Sequence, residues 1–348
     1  ESVYLRIREI KFHEKFVLKE NLYPGDYIKE IASSIIRNNK NIKEKNKKNC
    51  FEELKELSLK GSMSLIKDDL KQLGIVHDNF FSETELVKKD LVNKVVKELQ
   101  NNNYVEEGFL TPPKGDTSKN WKRIKRLIFK SSEFGDDTDR ALQKDDGSWT
   151  YFANDLAYHS DKIKRKFNNL INILGADHTG YIKRISAAVS ALSNKKVKLN
   201  CKVCQLVKLY KNGKPFKMSK RSGDFISVHD LLSEVDKDSI RFMMLNRSND
   251  VEIDFDFDKV KEKTKDNPVY YVQYAYARIN SIVRTLNKSL SDKININSEK
   301  FSPNIYEEKI LRKIFEWPKI IDSATYKFEP HKIPYYLYEL STLFHSYW

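Results

Sequence analysis

The spacing of apolar residues predicts helices over most of the first hundred positions. After the turn Tyr23–Tyr27, apolar side chains recur every three or four residues, which is the spacing of a helix face packed on a core. These positions are Ile28, Ile31, Ala32, Ile35 and Ile36. Residues 54–73 and 86–101 show the same pattern. A short strand is expected at 102–110, followed by hairpin-like material up to Phe129.

In the middle of the chain the pattern switches between helical and extended periods. A helix is predicted from about Tyr151 to Phe167, and an apolar run of strand length follows at 170–176, interrupted only by Asn172. A second helix, 181–192, precedes a second strand, 203–210. Strands that alternate with helices indicate an open α/β sheet. So continuous an apolar run is typical of a parallel strand covered on both faces.

Beyond residue 225 the chain has the periodicity of helices. Helices are predicted at 228–234, 237–246, 267–286, 306–326 and 334–348, with an acidic linker at 250–258. The helices from residue 259 onward predict a second, all-α domain. The division that we expect for the whole chain is 1–130, 131–224, 225–258 and 259–348.

Composition adds a class of partner to this picture. The 348 residues carry a net charge of +14, and 40% of them are hydrophobic, as is typical of a globular chain. The positive charge favours a polyanionic partner, most simply a nucleic acid, although solvated surface lysines would produce the same total. Because no apolar run reaches about 18 residues, we expect neither a membrane span nor a membrane partner.

The cysteines favour a reducing compartment, and a cytoplasmic location is expected. There are three of them, and Cys201 and Cys204 have Cys-x-x-Cys spacing. Cys50 is remote, and no second pair completes the four ligands of a structural zinc site. We therefore expect Cys201 and Cys204 to be strand side chains, and no structural metal.

A cationic segment between an expected strand and an expected helix is the first candidate for chemistry. Its sequence is Lys217-Met218-Ser219-Lys220-Arg221-Ser222-Gly223. Lysines in such a place suit phosphate oxygens, and they stabilise charge that develops on phosphorus and its leaving group. The alternative is a solvated basic loop in a chain rich in lysine.

Tyr151 and Asp155 lie one turn apart on the helix predicted from residue 151, on the face that also carries His159. A carboxylate accepts two bonds from a planar guanidinium, and a phenol ring stacks on it. The pair therefore suits a planar cation. The alternative is a surface carboxylate in the first helical turn beside a core tyrosine.

Two polar residues, Asp177 and His178, follow the apolar run at 170–176. Ligands of open α/β sheets bind beyond the carboxyl ends of the strands, which is where these residues are expected. Asp177 suits ribose hydroxyls, or alternatively caps the helix that begins near Gly180. His178 suits a phosphate or a base, or alternatively has a structural role.

The helix predicted at 267–286 carries four tyrosines in its first half, together with Arg278. Aromatic rings among cations suit stacking on unpaired RNA bases. Tyr274 and Arg278, one turn apart, are the candidates for RNA contact. The alternative is that these side chains pack a helical bundle.

Four long stretches together resemble the bacterial arginyl-tRNA synthetases, which are class I enzymes. They are Asp145–His159, Leu174–Tyr181, Lys217–Gly223 and Asp266–Arg278. Their order along the chain makes the resemblance specific, whereas the Lys-Met-Ser-Lys run alone would indicate only the class. The resemblance implies a Rossmann-like class I catalytic domain followed by a helical-bundle anticodon-binding domain.

The resemblance also implies a reaction. In the family, the carboxylate of arginine attacks the α-phosphorus of ATP, and the arginyl group then passes from the adenylate to the 3′-terminal ribose of its tRNA. The expected partners are therefore L-arginine, ATP and the tRNA for arginine, with Mg²⁺ accompanying ATP, and the protein is expected to be a monomer.

The family's functional residues match positions in this sequence. The implied arginine-binding residues are Tyr151, Asp155 and Asp177; the ATP-binding residues are Gly175, Asp177, His178, Lys217, Met218, Ser219 and Lys220; and the tRNA-binding residues are Tyr274 and Arg278. Lys217 and Lys220 are the implied catalytic pair. Residues 1–130 match an insertion of the catalytic domain, 131–224 its nucleotide-binding half, 225–258 a helical linker that contacts the tRNA stem, and 259–348 the front of the anticodon-binding domain.

The chain departs from the family pattern at both ends. The first class I motif, two histidines near the start of the nucleotide fold, has no counterpart, because none of the seven histidines forms a His-x-x-His or His-x-Gly-His pair. The family's N-terminal domain and the closing helices of its anticodon domain also have no counterpart. We therefore expect these 348 residues to be a piece of an enzyme that does not charge tRNA by itself.

Two other functions fit parts of the pattern. A non-catalytic RNA-binding relative would use the same positive charge and the same tyrosine-rich helix. A class I synthetase for another amino acid would share the Lys-Met-Ser-Lys run. Asp155 argues against an apolar substrate, because its carboxylate would then be buried without a partner.

Overall fold

The structure is a computed structural model, which describes residues 1–17, 19, 21–39, 47–110, 124–216, 226–286 and 302–348. The chain forms two compact units. The larger unit comprises Glu1–His77, Val207–Ser248 and Glu252–Trp348, and the smaller unit comprises Asp78–Leu206 and Asn249–Val251. Among the described residues, no helix is both long enough and apolar enough to cross a membrane.

Helices and strands are numbered here in chain order. The helices are α1 (Ser2–Phe12), α2 (Asp26–Asn38), α3 (Lys47–Gln72), α4 (Glu83–Lys88), α5 (Leu91–Asn101), α6 (Tyr151–Lys164), α7 (Ile182–Leu192), α8 (Val228–Glu234), α9 (Lys237–Leu245), α10 (Phe257–Lys261), α11 (Pro268–Thr285), α12 (Ile305–Phe315), α13 (Trp317–Lys327) and α14 (Lys332–Tyr347). The strands are β1 (Val105–Gly108), β2 (Arg126–Phe129), β3 (Arg140–Ala141), β4 (Asn169–Gly175), β5 (Lys198–Cys204), β6 (Val207–Lys211), β7 (Lys214–Phe216) and β8 (Ile253–Asp256). Short 3-10 helices cover Ser131–Phe134 and Ala176–Tyr181.

One apolar core holds the smaller unit together. Its helices α5, α6 and α7 each bury one stripe of side chains, as the helical spacing predicts. The antiparallel sheet β1-β2-β3 completes this core with Phe129, which is fully buried. Phe152 and Leu156 of α6 are buried in the same cluster, so the start of α6 is fixed by packing.

Strands β4 and β5 pair in parallel, with Asn169 opposite Lys198 and Gly175 opposite Cys204. The parallel arrangement is confirmed, and Cys201 and Cys204 are strand residues as expected. The expectation that β4 is covered on both faces is wrong for the described part of the chain, because Leu170 is buried but Ile173 is 71% exposed. Side chains alternate between the faces of a strand, so the described elements cover only the face that carries Leu170.

The single strand predicted at 203–210 is also wrong, because the chain forms two strands there. β5 ends at Cys204, and β6 begins at Val207 in another sheet. Between them, the backbone N–H of Gln205 donates to the carbonyl of Asn249 at 2.9 Å. This bond takes Gln205 out of the β4–β5 ladder and ends the first strand.

The acidic stretch at 250–258, which was expected to be a linker, contains β8 and the start of α10. β8 pairs in parallel with β6 of the larger unit. Phe255 and Phe257 are fully buried there. Ile253, Phe255 and Phe257 alternate with acidic residues, which is the period of a half-buried strand. Because the prediction followed charge rather than period, it missed the strand.

The other regular elements described in the larger unit are helices, apart from the β6–β7 hairpin. Asn212 and Gly213 both have positive φ in its two-residue turn, as a tight hairpin requires. α14 packs against α11, α12 and α13. The helix predicted at 306–326 is divided into α12 and α13, with a proline in the first turn of α13. The domain boundaries proposed from the sequence remain predictions.

Candidate active site

The start of α6 presents a tyrosine to solvent. The side chain of Thr150 caps the helix by accepting a hydrogen bond from the backbone N–H of Ala153 at 3.3 Å. Tyr151 is therefore the first helical residue, and it is 80% exposed. The Lys144 ammonium lies 5.7 Å from the centre of its ring. The alternative of a core tyrosine at this position is wrong, and the ring is accessible to a ligand.

Asp155, one turn further along α6, is half-buried and bonded to a residue far away in sequence. The hydroxyl of Tyr181 donates a hydrogen bond to its Oδ2 atom. Burial raises the pKa of Tyr181, and the hydrogen bond to Asp155 raises it further. Tyr181 therefore stays protonated and keeps the carboxylate in one orientation. The sequence motif ended at Tyr181, but no role was predicted for it.

Behind Asp155, the buried side chain of His159 is held in one tautomer. Its Nδ1 bonds the backbone carbonyl of Asp155, and its Nε2 bonds the side-chain amide of Asn172, both at 2.9 Å. A carbonyl oxygen only accepts and an amide N–H only donates, so the proton is on Nδ1. Lys162 donates to Oδ1 of the same Asn172 at 3.0 Å. The four groups form one polar network beneath the carboxylate.

Burial and a nearby positive charge keep the His159 side chain neutral. Burial lowers the pKa of His159, and the nearby Lys162 lowers it further. Burial also lowers the pKa of Lys162, with a contribution from Arg165. Sequence reasoning missed Asn172 and Lys162. The only signal in the sequence was that Asn172 is the one polar residue in the apolar run at 170–176.

Asp177 and His178 lie just beyond the carboxyl end of β4, where they were expected. The Asp177 side chain is 81% exposed, and its Oδ2 lies 3.5 Å from Nε2 of His178. The capping position of the 3-10 helix is Gly175, and that of α7 is Tyr181, so the alternative that Asp177 caps a helix is wrong. Both side chains are available for a ligand.

Gly175 provides the space for the Asp177 carboxylate. A Cβ atom at Gly175 would lie 2.6 Å from Oδ1 of Asp177, which is closer than any non-bonded contact allows. The 3-10 helix connects this carboxylate with the α6 residues, because Asp177 is near its start and Tyr181, at its end, bonds Asp155. The arrangement joins the half-buried carboxylate of Asp155 to an exposed polar strand end.

The predicted phosphate-binding residues Lys217, Met218, Ser219 and Lys220 lie outside the described residues. On either side of the residues that are not described, a strand and a helix are present, and the strand β7 was not predicted because its residues 214 and 215 were expected to form a turn. β7 ends at Phe216, and α8 begins at Val228 after a capping box formed by Ser227 and Asp230.

The predicted RNA-contacting pair lies in the larger unit. Arg278 points its guanidinium toward Nδ1 of His345 at 3.3 Å, and His345 also bonds the backbone carbonyl of Tyr271. Tyr274 stacks on Tyr270 and on His345, yet it remains 44% exposed. Arg278 therefore ties α11 to α14, while Tyr274 keeps an accessible ring edge.

Across the described part of the chain, no group of three or more His, Cys, Asp or Glu side chains is placed to hold a metal ion.

Comparisons with known proteins cover the whole chain. The family model for the catalytic domain of class I tRNA synthetases (R) matches residues 18–286, and the model for the DALR anticodon binding domain matches residues 272–348. The chain is 57% identical to the arginine–tRNA ligase of Pelagibacter ubique (strain HTCC1062) and 46% identical to that of Wolbachia sp. subsp. Brugia malayi (strain TRS). The matches span all of this chain but only 60% of each relative's length.

Solved structures that resemble this chain include two arginyl-tRNA synthetases. A Campylobacter jejuni structure described as an arginyl-tRNA synthetase superposes with a TM-score of 0.82 at 30% identity, over 99% of this chain and 72% of that one. The Thermus thermophilus arginyl-tRNA synthetase superposes with a TM-score of 0.66 at 15% identity, over 99% of this chain and 65% of that one. At that identity the second match shows only a shared fold.

Proposed function

This chain belongs to the class I arginyl-tRNA synthetase family, and we propose that the whole protein joins L-arginine to its tRNA in an ATP-dependent reaction. The expected fold class is confirmed, since the two family models match a class I catalytic domain followed by an anticodon-binding domain. The observation that supports the activity best is the half-buried, oriented carboxylate of Asp155 with the exposed ring of Tyr151 one turn before it.

Asp155 would bind the side chain of the amino-acid substrate. A guanidinium is planar and forms two parallel hydrogen bonds to a carboxylate. The ring of Tyr151, free of the core, would stack on the same cation. A neutral side chain would leave the half-buried charge of Asp155 unpaired, at a cost that disfavours apolar amino acids.

The reaction needs two group transfers. In the first, an oxygen of arginine's carboxylate bonds the α-phosphorus of ATP, and the bond from that phosphorus to the bridging oxygen breaks, which releases pyrophosphate. In the second, a hydroxyl of the terminal tRNA ribose bonds the arginyl carbonyl carbon. The bond from the carbonyl carbon to the phosphate oxygen breaks, AMP leaves with the electron pair of that bond, and the hydroxyl releases its proton.

The nucleotide would lie at the strand end. Asp177 would accept hydrogen bonds from ribose hydroxyls, and His178 would contact the base or a phosphate. Gly175 has no side chain, so the nucleotide could come close to the backbone at that position. Lys217 and Lys220, with Met218 and Ser219 between them, would bind the phosphates and stabilise negative charge on the departing pyrophosphate. Mg²⁺ would enter on the phosphate oxygens of ATP as part of the substrate.

The helical end of the chain would bind tRNA. Tyr274 is 44% exposed and would offer its accessible ring edge to an unpaired base. Arg278, which is held by its hydrogen bond to His345, would contact the RNA beside it. The net charge of +14 favours the same partner. We place this activity in the cytoplasm, carried out by a monomer.

The test is charging of tRNA with labelled arginine by the protein encoded by the complete reading frame. Incorporation that needs both arginine and ATP is expected, and the 348-residue chain assayed alone should give none. If the complete protein bound tRNA but charged it with no amino acid, the proposal would fail in favour of a non-catalytic relative. Charging with a different amino acid would show that the pocket is wrongly assigned.

A further inference from the structure

The carboxylate of Asp155 can rotate about two side-chain bonds, so its orientation must be fixed by a neighbour. That neighbour is Tyr181, whose hydroxyl donates to Oδ2. The two residues are separated by 26 positions, so the contact is a product of the fold and not of helical spacing. Among the described residues, we find no other hydrogen bond to this carboxylate.

The ring of Tyr181 is itself held by two neighbours. Phe152 meets it edge to face, with ring centres 6.3 Å apart and planes at 88°. The guanidinium of Arg184 lies 5.1 Å from its centre. Both arrangements are favourable for aromatic rings. The hydroxyl therefore projects from a ring that has little freedom to move.

The hydrogen bond leaves most of the carboxylate free for a ligand. An ionised carboxylate offers about four lone-pair positions, and a tyrosine hydroxyl occupies one of them. Oδ1 and the second lone pair of Oδ2 remain for two N–H groups in a common plane. Because Tyr181 fixes Oδ2, it also fixes that plane.

We propose that Tyr181 is a positioning residue for the arginine side chain, and that it sets the plane in which Asp155 meets the guanidinium. This inference rests on the proposed function of the same pocket. A guanidinium needs a carboxylate in one plane, whereas a lysine ammonium is a point charge that accepts many orientations. Tyr181 therefore contributes to the preference for arginine over lysine.

The variant Tyr181→Phe tests this in the complete protein, because it removes the hydroxyl and keeps the packed ring. Its KM for arginine should rise about tenfold, while kcat and the KM for ATP stay within about twofold. The matched control is Tyr158→Phe. Tyr158 is half-buried and lies on α6, the helix of Asp155, but its ring packs against Phe81 and Lys162. The KM of the Tyr158→Phe variant for arginine should therefore not change.

A double-mutant cycle separates positioning from a general structural effect. Arginine affinity is measured by calorimetry for wild type, Tyr181→Phe, Asp155→Asn and the double variant. The effect of Tyr181→Phe should disappear once Asp155 is replaced, because the hydroxyl then has no carboxylate to orient. A loss of the same size in both backgrounds would overturn the inference.

Loss of the positioning role can be distinguished from loss of the proposed function. If the wild-type protein charges tRNA with arginine and Tyr181→Phe has an unchanged KM, the positioning role is wrong and the proposed function stands. If the wild-type protein does not charge arginine, the proposed function itself fails.

Discussion

Asn172 donates its side-chain amide hydrogen to Nε2 of the buried His159 at 2.9 Å. The same side chain accepts a hydrogen bond from Lys162, so one amide is the partner of a buried imidazole and of a half-buried ammonium. The network lies directly behind the backbone of Asp155. These two hydrogen bonds explain why a polar residue, Asn172, stands in an otherwise apolar run.

Replacement of this amide should destabilise the fold. In Asn172→Leu, the Nε2 atom of His159 and the Lys162 ammonium lose a partner, which should lower the free energy of unfolding by about 1–3 kcal/mol. The control is Ile173→Val, at the neighbouring, exposed position of β4. This substitution should change the free energy of unfolding by less than about 0.5 kcal/mol. Urea unfolding followed by circular dichroism measures both, and equal midpoints for the two variants would contradict the role of Asn172.

His159 should make stability depend on pH. Because its pKa is lowered in the folded protein from an ordinary value of 6.5, the unfolded chain takes up a proton as the pH falls through that value and the folded chain does not. Stability is therefore lost as the pH falls below 6.5 and regained as it rises.

His159→Gln removes this contribution while keeping a polar side chain in the network. The free energy of unfolding of the variant should fall less steeply than that of wild type when the pH is lowered from neutral toward about 5. Denaturant titrations at a series of pH values measure the two slopes. Parallel slopes would show that His159 does not carry the dependence.

Asp155→Ala should abolish recognition of the arginine side chain. Loss of a half-buried charge partner costs about 2–5 kcal/mol in binding, so the KM for arginine should rise at least about 30-fold with the KM for ATP little changed. The matched control is Asp161→Ala on the same helix, whose carboxylate pairs with Arg165 at 3.3 Å. If Asp155→Ala and Asp161→Ala behaved alike in the charging assay, the pocket would be wrongly placed.

Gly175→Ala should disturb nucleotide binding through Asp177. The added methyl group would lie 2.6 Å from Oδ1 of Asp177, so the carboxylate must move, and the KM for ATP should rise about tenfold or more. Thermal stability should change little, because the displaced side chain is exposed. Gly180→Ala is the control, since its methyl group would meet nothing within 4 Å. Identical ATP kinetics for the two variants would remove Asp177 from the site.

Residues whose relative positions follow from their spacing within one helix or strand were predictable from the sequence. Tyr151 and Asp155 share a helix face because they are one turn apart, and the structure places both at the start of α6. Asp177 and His178 follow a strand, and the strand pairs in parallel as expected. The period of the element and the direction of the chain are enough to place each of these residues.

Residues that act across the fold were not predictable in this way. Tyr181 reaches Asp155 over 26 positions, and Asn172 reaches His159 over 13 positions. The strand β8 was missed for another reason: the acidic residues of this stretch suggested a linker, although Phe255 of β8 and Phe257 at the start of α10 are buried. Burial, and not charge, decides the structure of such a segment.

The two pairings of β6 have different consequences for the order of folding. β7 follows β6 after a two-residue turn, so the hairpin is a local contact that closes in microseconds. β8 pairs Ile253 with Val207, and this contact must await synthesis of everything between them and the entropic cost of closing a long loop. On the ribosome, the hairpin that leads into the Lys217–Gly223 segment can therefore form before the strand that fixes its other edge has emerged.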